Sequence, residues 1–216
     1  MSNVLIFGGG SKFGLSLTDA FKDAGNTVYK VSGSAQDQNT LTVNWKTCFI
    51  NDFEKFLTGL PNLDVVIFNQ NASSLPEHFH KLGSMDTLEM WKQSKNYLQS
   101  YYVNCVLPQH ALHTLSSSKK LNSNSKIVWM LSRSIFNPKS APSDYAGQKY
   151  QNFVTLQKLA NYNDQTFIGV CPGLLTQDTY KNKSQHLCNF LTQENMNHYS
   201  GKFLAFDQLT ETFKII

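Results

Sequence analysis

Short runs of consecutive apolar residues, separated by longer segments of helical period, constrain this chain more than any other feature. Val4–Phe7, Leu63–Phe68 and Ile127–Leu131 are apolar with almost no alternation. Strands buried on both faces read this way, and such strands belong to parallel sheets covered by helices on each side. Thr27–Val31, Leu41–Val43, Phe167–Val170 and Lys202–Phe206 bring the candidates to about seven. Between them lie helical patterns. Phe13, Leu17, Ala20, Phe21 and Ala24 share one face, ended by Gly25 and Asn26 in the manner of a helix C-terminus. Phe49 to Leu57 is a short helix closed by Gly59 and Pro61. Thr87 to Leu115 is a long one, distorted near Pro108 because proline gives no backbone donor. Tyr145 to Asn161 is periodic through Ala146, Tyr150, Phe153, Leu156, Leu159 and Ala160, and a polar helical segment precedes the last strand. Repeated strand–helix–strand units with right-handed crossovers give a doubly wound, Rossmann-type α/β fold. With 216 residues and no repeat or linker, one domain is expected.

Composition narrows the function classes. Apolar residues are 41% and charged residues 16% of the chain, a globular mix. The longest apolar runs are far below the ~18 residues that span a bilayer. No basic segment precedes an apolar stretch near Met1, so no secretory signal is expected and a cytoplasmic protein is. The net charge is +4, and Lys119–Lys120 is the one adjacent basic pair, set among Ser and Asn. A nucleic-acid binder concentrates its cations into a stripe, so none is expected here. Cys48, Cys105, Cys171 and Cys188 lack metal-ligand spacing and are expected as reduced thiols. His78 and His80 fall in a loop, and His110 and His113 share a helical face without a third ligand. No metal site is expected.

Gly8, Gly9, Gly10 and Gly14 stand between the first strand and the first helix. Such a turn lets backbone N–H groups approach a pyrophosphate at the positive end of a helix dipole. The Gly-x-Gly-x-x-Gly spacing fails, because Phe13 takes the third position; a turn without ligand is the alternative. Tyr145 and Lys149, four apart, project from one helix face. A phenol near pKa 10 is a poor proton shuttle at neutrality, and an ammonium beside it is expected to lower that value. Ser132, just past an apolar strand, offers a hydroxyl to a substrate oxygen that gains charge.

Together these residues resemble the short-chain dehydrogenase/reductase family, in its classical form, over nearly the whole chain. The family's Thr-Gly-x-x-x-Gly-x-Gly lies without gaps over residues 7–14, and its Asn-Asn-Ala-Gly falls on residues 68–71. Its helix asparagine falls on Asn104, its serine on Ser132, its Tyr-x-x-x-Lys on Tyr145 and Lys149, and its Pro-Gly turn on Pro172 and Gly173. Gly201 and Asp207 echo its closing Gly-Gln-x-x-x-x-Asp. The resemblance implies hydride transfer between a nicotinamide and a carbonyl or alcohol carbon. It makes Tyr145 the acid/base, Lys149 the group that lowers its pKa and holds the nicotinamide ribose, Ser132 the carbonyl polariser and Asn104 the anchor of a relay water. It also implies cofactor contacts from Gly8, Gly10, Ser11, Lys12, Phe13, Gly14, Ser32, Asn44, Asn69, Gln70, Asn71, Tyr145, Lys149, Pro172, Gly173 and Leu175. A homodimer or homotetramer follows by the same analogy, with Tyr101, Tyr102, Phe153 and Leu156 as interface candidates or else core residues.

Several positions depart from the family pattern. Lys12 stands where the motif has a glycine, which raises the expectation of an unfavourable backbone angle. Phe7 replaces Thr, residues 68–71 keep one of four, and Thr176 comes one place early. Only residues 174–200 separate Gly173 from Gly201, a short substrate-covering segment. Ser32 occupies the place where NAD users carry an acid, and Lys12 or Lys30 offers positive charge, so NADP(H) is preferred to NAD(H). Lys30 is otherwise an exposed strand residue. A nucleotide-binding regulatory or scaffold protein with little or no turnover is the second reading, kept by Lys12 and the short segment.

Overall fold

The computed structural model describes residues 1–33, 39–42, 50–71, 97–136, 143–161, 163–193, 196–207 and 209–216. One eight-stranded sheet organises them, in the order β3-β2-β1-β4-β5-β6-β7-β8. The strands are β1 (Asn3–Phe7), β2 (Thr27–Ser32), β3 (Thr40–Thr42), β4 (Leu63–Phe68), β5 (Leu121–Met130), β6 (Thr166–Cys171), β7 (Lys202–Asp207) and β8 (Thr212–Ile215). All neighbours pair in parallel except β7 and β8. This is the expected doubly wound α/β sheet with one strand more than the sequence indicated. That eighth strand is an antiparallel edge, reached through a turn with Glu211 in the left-handed region.

Alternate residues of the central strands fill two cores. On one face Phe7, Phe68 and Trp129 form an aromatic row across β1, β4 and β5, with ring centroids 4.8 and 4.9 Å apart. They pack under Leu57 of α2 (Ile50–Gly59), Leu107 and Leu115 of α3 (Leu107–Ser117) and Leu156 of α4 (Ser143–Ala160). On the other face Val4, Ile6, Ile67 and Val128 meet Leu17 and Phe21 of α1 (Lys12–Asp23) and Leu187 and Leu191 of α5 (Tyr180–Leu191). Leu17 has no exposed surface. Leu17→Ala is expected to destabilise the fold by about 2–5 kcal/mol, read as a lower urea midpoint at unchanged m-value.

Several sequence readings change. The third strand is Thr40–Thr42, and Val43 lies outside the described residues, as do Phe49, Cys48, His78, His80 and the start of the long helix at Thr87. Tyr150 is 56% exposed and leaves the apolar stripe of α4, whereas Leu156 is fully buried within the chain and offers nothing to an interface. His110 hydrogen-bonds Glu54 at 3.0 Å and ties α3 to α2. The distortion expected near Pro108 is a π-helical turn over Tyr102–Val106, directly before α3. No helix among the described residues is long and apolar enough to cross a membrane.

The chain leaves β1 toward β2 and β3, then returns to lay β4 on the other side of β1. Reversal of direction at this point opens a crevice above the carboxyl ends of β1 and β4.

Candidate active site

The crevice begins at the glycine turn. Gly8 adopts a left-handed φ of 73°, and the N–H groups of Gly8 and Gly9 donate to the Val31 carbonyl at 2.8 and 3.2 Å. Ser11 caps α1: its Oγ accepts from the Gly14 N–H at 3.0 Å and donates to the Gly8 carbonyl at 2.9 Å. Asn69 Nδ2 donates to the same Ser11 oxygen at 3.0 Å and to the Gly8 carbonyl at 3.3 Å, which pins the end of β4 to the turn. A Cβ on Gly14 would lie 2.2 Å from the Gly8 carbonyl oxygen, and one on Gly8 would lie 2.8 Å from the Gln70 backbone. Both positions therefore require glycine.

Lys12 carries no such strain. It is the first residue of α1, exposed to solvent and without a positive φ, so the unfavourable angle expected there does not arise. Lys30 is not an exposed strand residue: it is 3% exposed, and its methylenes lie where a Cβ on Gly9 would otherwise sit. Absence of a side chain at Gly9 makes the room for that lysine stem. A cavity of about 520 Å³ over this turn is lined by Gly8, Gly10, Ser11, Lys12, Phe13, Ser32, Asn69, Gln70, Asn71 and Leu175. Gln70 donates to the Val103 carbonyl at 3.3 Å, while its side-chain oxygen is buried without a partner among the described residues. Tyr180, unforeseen from sequence, completes the wall and packs on Phe13 with ring centroids 6.1 Å apart. Asn44 lies outside the described residues.

A second cavity, about 510 Å³, shares Asn69, Asn71 and Leu175 with the first and is also lined by Ser132, Tyr145, Lys149, Pro172 and Gly173. Ser132 follows β5 in extended conformation and caps the turn Arg133–Ile135. Its Oγ accepts from the Ser134 N–H at 3.2 Å and from the Ser134 hydroxyl at 3.0 Å. Both contacts use oxygen lone pairs, leaving the Ser132 proton for the Tyr145 phenol on the same cavity wall, whose proton affinity the hydroxyl lowers. Lys149 is buried; its Nζ donates to the Met130 carbonyl at 2.9 Å and lies over the Tyr145 ring, 5.6 Å from the centroid.

The electrostatics differ from the sequence expectation. Burial pushes the Tyr145 phenol above its ordinary value, and the Ser132 hydroxyl opposes that shift without cancelling it. Lys149 does not outweigh that burial. The ammonium sits over the ring and is turned to the Met130 carbonyl, and its own burial lowers it to about 8. Removing both groups from water penalises their charged forms.

Asn104 lines neither cavity. It sits in the π-helical turn, 2% exposed, one layer behind Lys149. Its amide donates to Gln148 Oε1 at 2.7 Å and to Ser100 Oγ at 3.2 Å, and its carbonyl accepts from Asn152 Nδ2 at 2.9 Å. Pro108, four residues on, has no N–H to give that carbonyl, and the Asn152 side chain takes the place. The structure thus brings Ser132, Tyr145 and Lys149 together and links Asn104 to them through Gln148. Gln148 and Asn152 were missed in the sequence, yet Tyr145, Gln148, Lys149 and Asn152 follow an i, i+3, i+4, i+7 pattern, a polar stripe on one helix face.

No protein-family model and no curated protein matches this sequence. Solved structures do match the fold. A carbonyl reductase from Pseudomonas aeruginosa is 16% identical, with a TM-score of 0.71 over 95% of this chain and 96% of that one. A short-chain dehydrogenase family protein from Francisella tularensis is 15% identical, with a TM-score of 0.71 over 96% and 97% of the two chains. A blue fluorescent protein from a metagenomic library, solved in complex with NADPH, is 15% identical with a TM-score of 0.75, over 95% and 96%. The fold is that of the short-chain dehydrogenases/reductases along almost the entire chain.

Proposed function

We propose that this chain, folded as a short-chain dehydrogenase/reductase, belongs to that family and is an NADP(H)-dependent oxidoreductase that reduces a carbonyl compound. One observation carries the reading: the Ser132 hydroxyl and the Tyr145 phenol, with Lys149 over the phenol ring, share a cleft that continues into the glycine turn. The residues present fit a dinucleotide. Gly8 and Gly14 keep side chains out of the turn, the capped start of α1 faces it, and the Gln70 side-chain oxygen is a buried polar atom without a partner among the described residues.

Gly8, Gly10, Ser11, Lys12, Phe13 and Gly14 would hold the phosphates, with Ser32 and Lys12 toward the adenosine ribose. Asn69, Gln70 and Asn71 floor the middle of the cleft. Pro172, Gly173, Leu175, Tyr145 and Lys149 would hold the nicotinamide riboside. When bound, the cofactor supplies the hydride that adds to the carbonyl carbon. Ser132 donates to the carbonyl oxygen as negative charge builds there. Tyr145, kept protonated by burial, delivers its proton to that oxygen, which suits reduction better than oxidation at neutral pH. Lys149 stabilises the phenolate left behind, and Asn104, fixed by Gln148 and Asn152, holds the helix turn behind it.

A deprotonated Lys149 removes that stabilisation. The kcat for reduction is therefore expected to hold through neutrality and fall above about pH 8, well before the phenol titrates. A pH–rate profile measures it; a limb beginning only above pH 10 contradicts the assignment of Lys149.

The test of function is NADPH oxidation by a broad panel of aldehydes and ketones, with fluorescence titration of NADPH and NADH. Turnover, with NADPH bound about tenfold or more tighter than NADH, supports the proposal. NADPH binding without turnover of any member favours the regulatory or scaffold reading.

A further inference from the structure

A third cavity, about 420 Å³, adjoins the catalytic one through Arg133 and the Pro172–Leu174 turn, and shares no wall with the glycine-turn cavity. It therefore lies beyond Ser132 and Tyr145, away from the phosphate end of the cleft. Its walls come from the carboxyl end of β7, from β8 and from the first turn of α5, and they carry Arg133, Lys183 and Lys214 against a single acid, Asp207.

That acid is already engaged. Asp207 accepts from Lys214 at 2.5 Å and from the Leu209 N–H at 2.9 Å, so it neutralises neither of the other cations. Lys183 is 2% exposed, among the largest fully buried side chains of the described residues. Its Nζ donates to the Leu174 carbonyl at 2.5 Å and lies 5.4 Å from the centre of the Phe206 ring. One carbonyl uses one of three N–H donors, and no carboxylate meets this ammonium among the described residues. Burial lowers the proton affinity of this amine, and an anionic ligand would restore the ammonium by supplying the missing counter-ion. Arg133 directly follows the carbonyl-polarising Ser132, is exposed, and pairs with no acid among the described residues. A guanidinium receives a carboxylate or phosphate through two parallel hydrogen bonds. Leu174, Leu209 and Ile216 give the same cavity apolar wall for a short carbon chain.

We infer that this cavity is the acid-binding half of the substrate site, so that the carbonyl substrate carries an anionic terminus seated between Arg133 and Lys183. The inference rests on the reductase reading of the adjoining cleft for its catalytic consequence, and on the cavity itself for binding.

Two measurements test it. NADPH oxidation is followed with levulinate, its one-carbon-longer homologue and the methyl esters of both. The kcat/KM of the acids is expected to exceed that of the esters at least tenfold, and Arg133→Ser or Lys183→Met to bring the ratio to within about threefold. Calorimetric titration with glutarate and, separately, with inorganic phosphate reads binding without turnover. The wild type is expected to bind one of them, the tighter one naming the kind of anionic group, and each variant to lose at least tenfold in affinity. Equal handling of acids and esters overturns the inference while leaving the reductase intact. If no carbonyl compound is turned over, the reductase reading fails by itself and the titration decides: anion affinity lost in Arg133→Ser supports the site, and no affinity, or affinity unchanged by that substitution, overturns it. Arg133 is exposed, so its variant decides the matter even where Lys183→Met lowers stability.

Discussion

Tyr145→Phe is expected to lower turnover of any carbonyl substrate by on the order of 10²–10⁴-fold, the contribution of a placed general acid, or about 3–5 kcal/mol of barrier. The substitution deletes one oxygen and keeps the ring over which Lys149 lies, so packing changes little. Ser132 loses a partner but keeps both hydrogen bonds from Ser134. The Kd for NADPH should rise by no more than about fivefold, one ordinary hydrogen bond. Steady-state kinetics beside a fluorescence titration separates the two effects. A scaffold protein would have no turnover to lose, and an enzyme using another acid would keep most of it.

Gly14→Ala is the second large effect, through sterics instead of chemistry. The new Cβ would meet the Gly8 carbonyl oxygen at 2.2 Å and the Gly9 Cα at 2.9 Å. Both are backbone atoms in a turn held by Ser11 and Asn69, so no flexible side chain yields, and α1 must move off β1. Such overpacking costs about 1–3 kcal/mol, a melting-temperature fall of about 2–4 °C for each. The displaced turn is also where the phosphates would lie, so NADPH affinity is expected to fall at least tenfold. Unchanged affinity would move the cofactor away from this turn.

The central strands were legible because both faces are buried: Val4–Phe7 and Val65–Phe68 leave water on each side of the sheet and have no polar alternation to confuse the pattern. β8 was not, since only Phe213 among Thr212–Ile215 is buried, and one apolar residue on an edge is no periodic signal. The first half of β5 hid for a related reason: Asn122, Ser123 and Asn124 are polar, and the register with β4 jumps between Leu63 and Val65. In the site, the spacing of Tyr145 and Lys149 and the position of Ser132 after a strand pointed to residues that the fold does bring together. Their proton affinities depend on burial, which spacing does not encode, and there the expected depression of the phenol gave way to the reverse. Lys30 was misread because its stem fills space left by Gly9 in the turn after β1, a contact between that turn and β2. Arg133 and Lys183 stand 50 positions apart in the chain and share a cavity only through tertiary packing.

A crystal structure of the protein soaked with NADPH tests where the cofactor lies. The pyrophosphate is expected against Gly8–Gly14 and the dihydronicotinamide in the cavity of Ser132 and Tyr145, with its C4 open to the carbon of a carbonyl whose oxygen those hydroxyls hold. A dinucleotide absent at saturating concentration, or one whose nicotinamide ring lies outside that cavity, would contradict this placement.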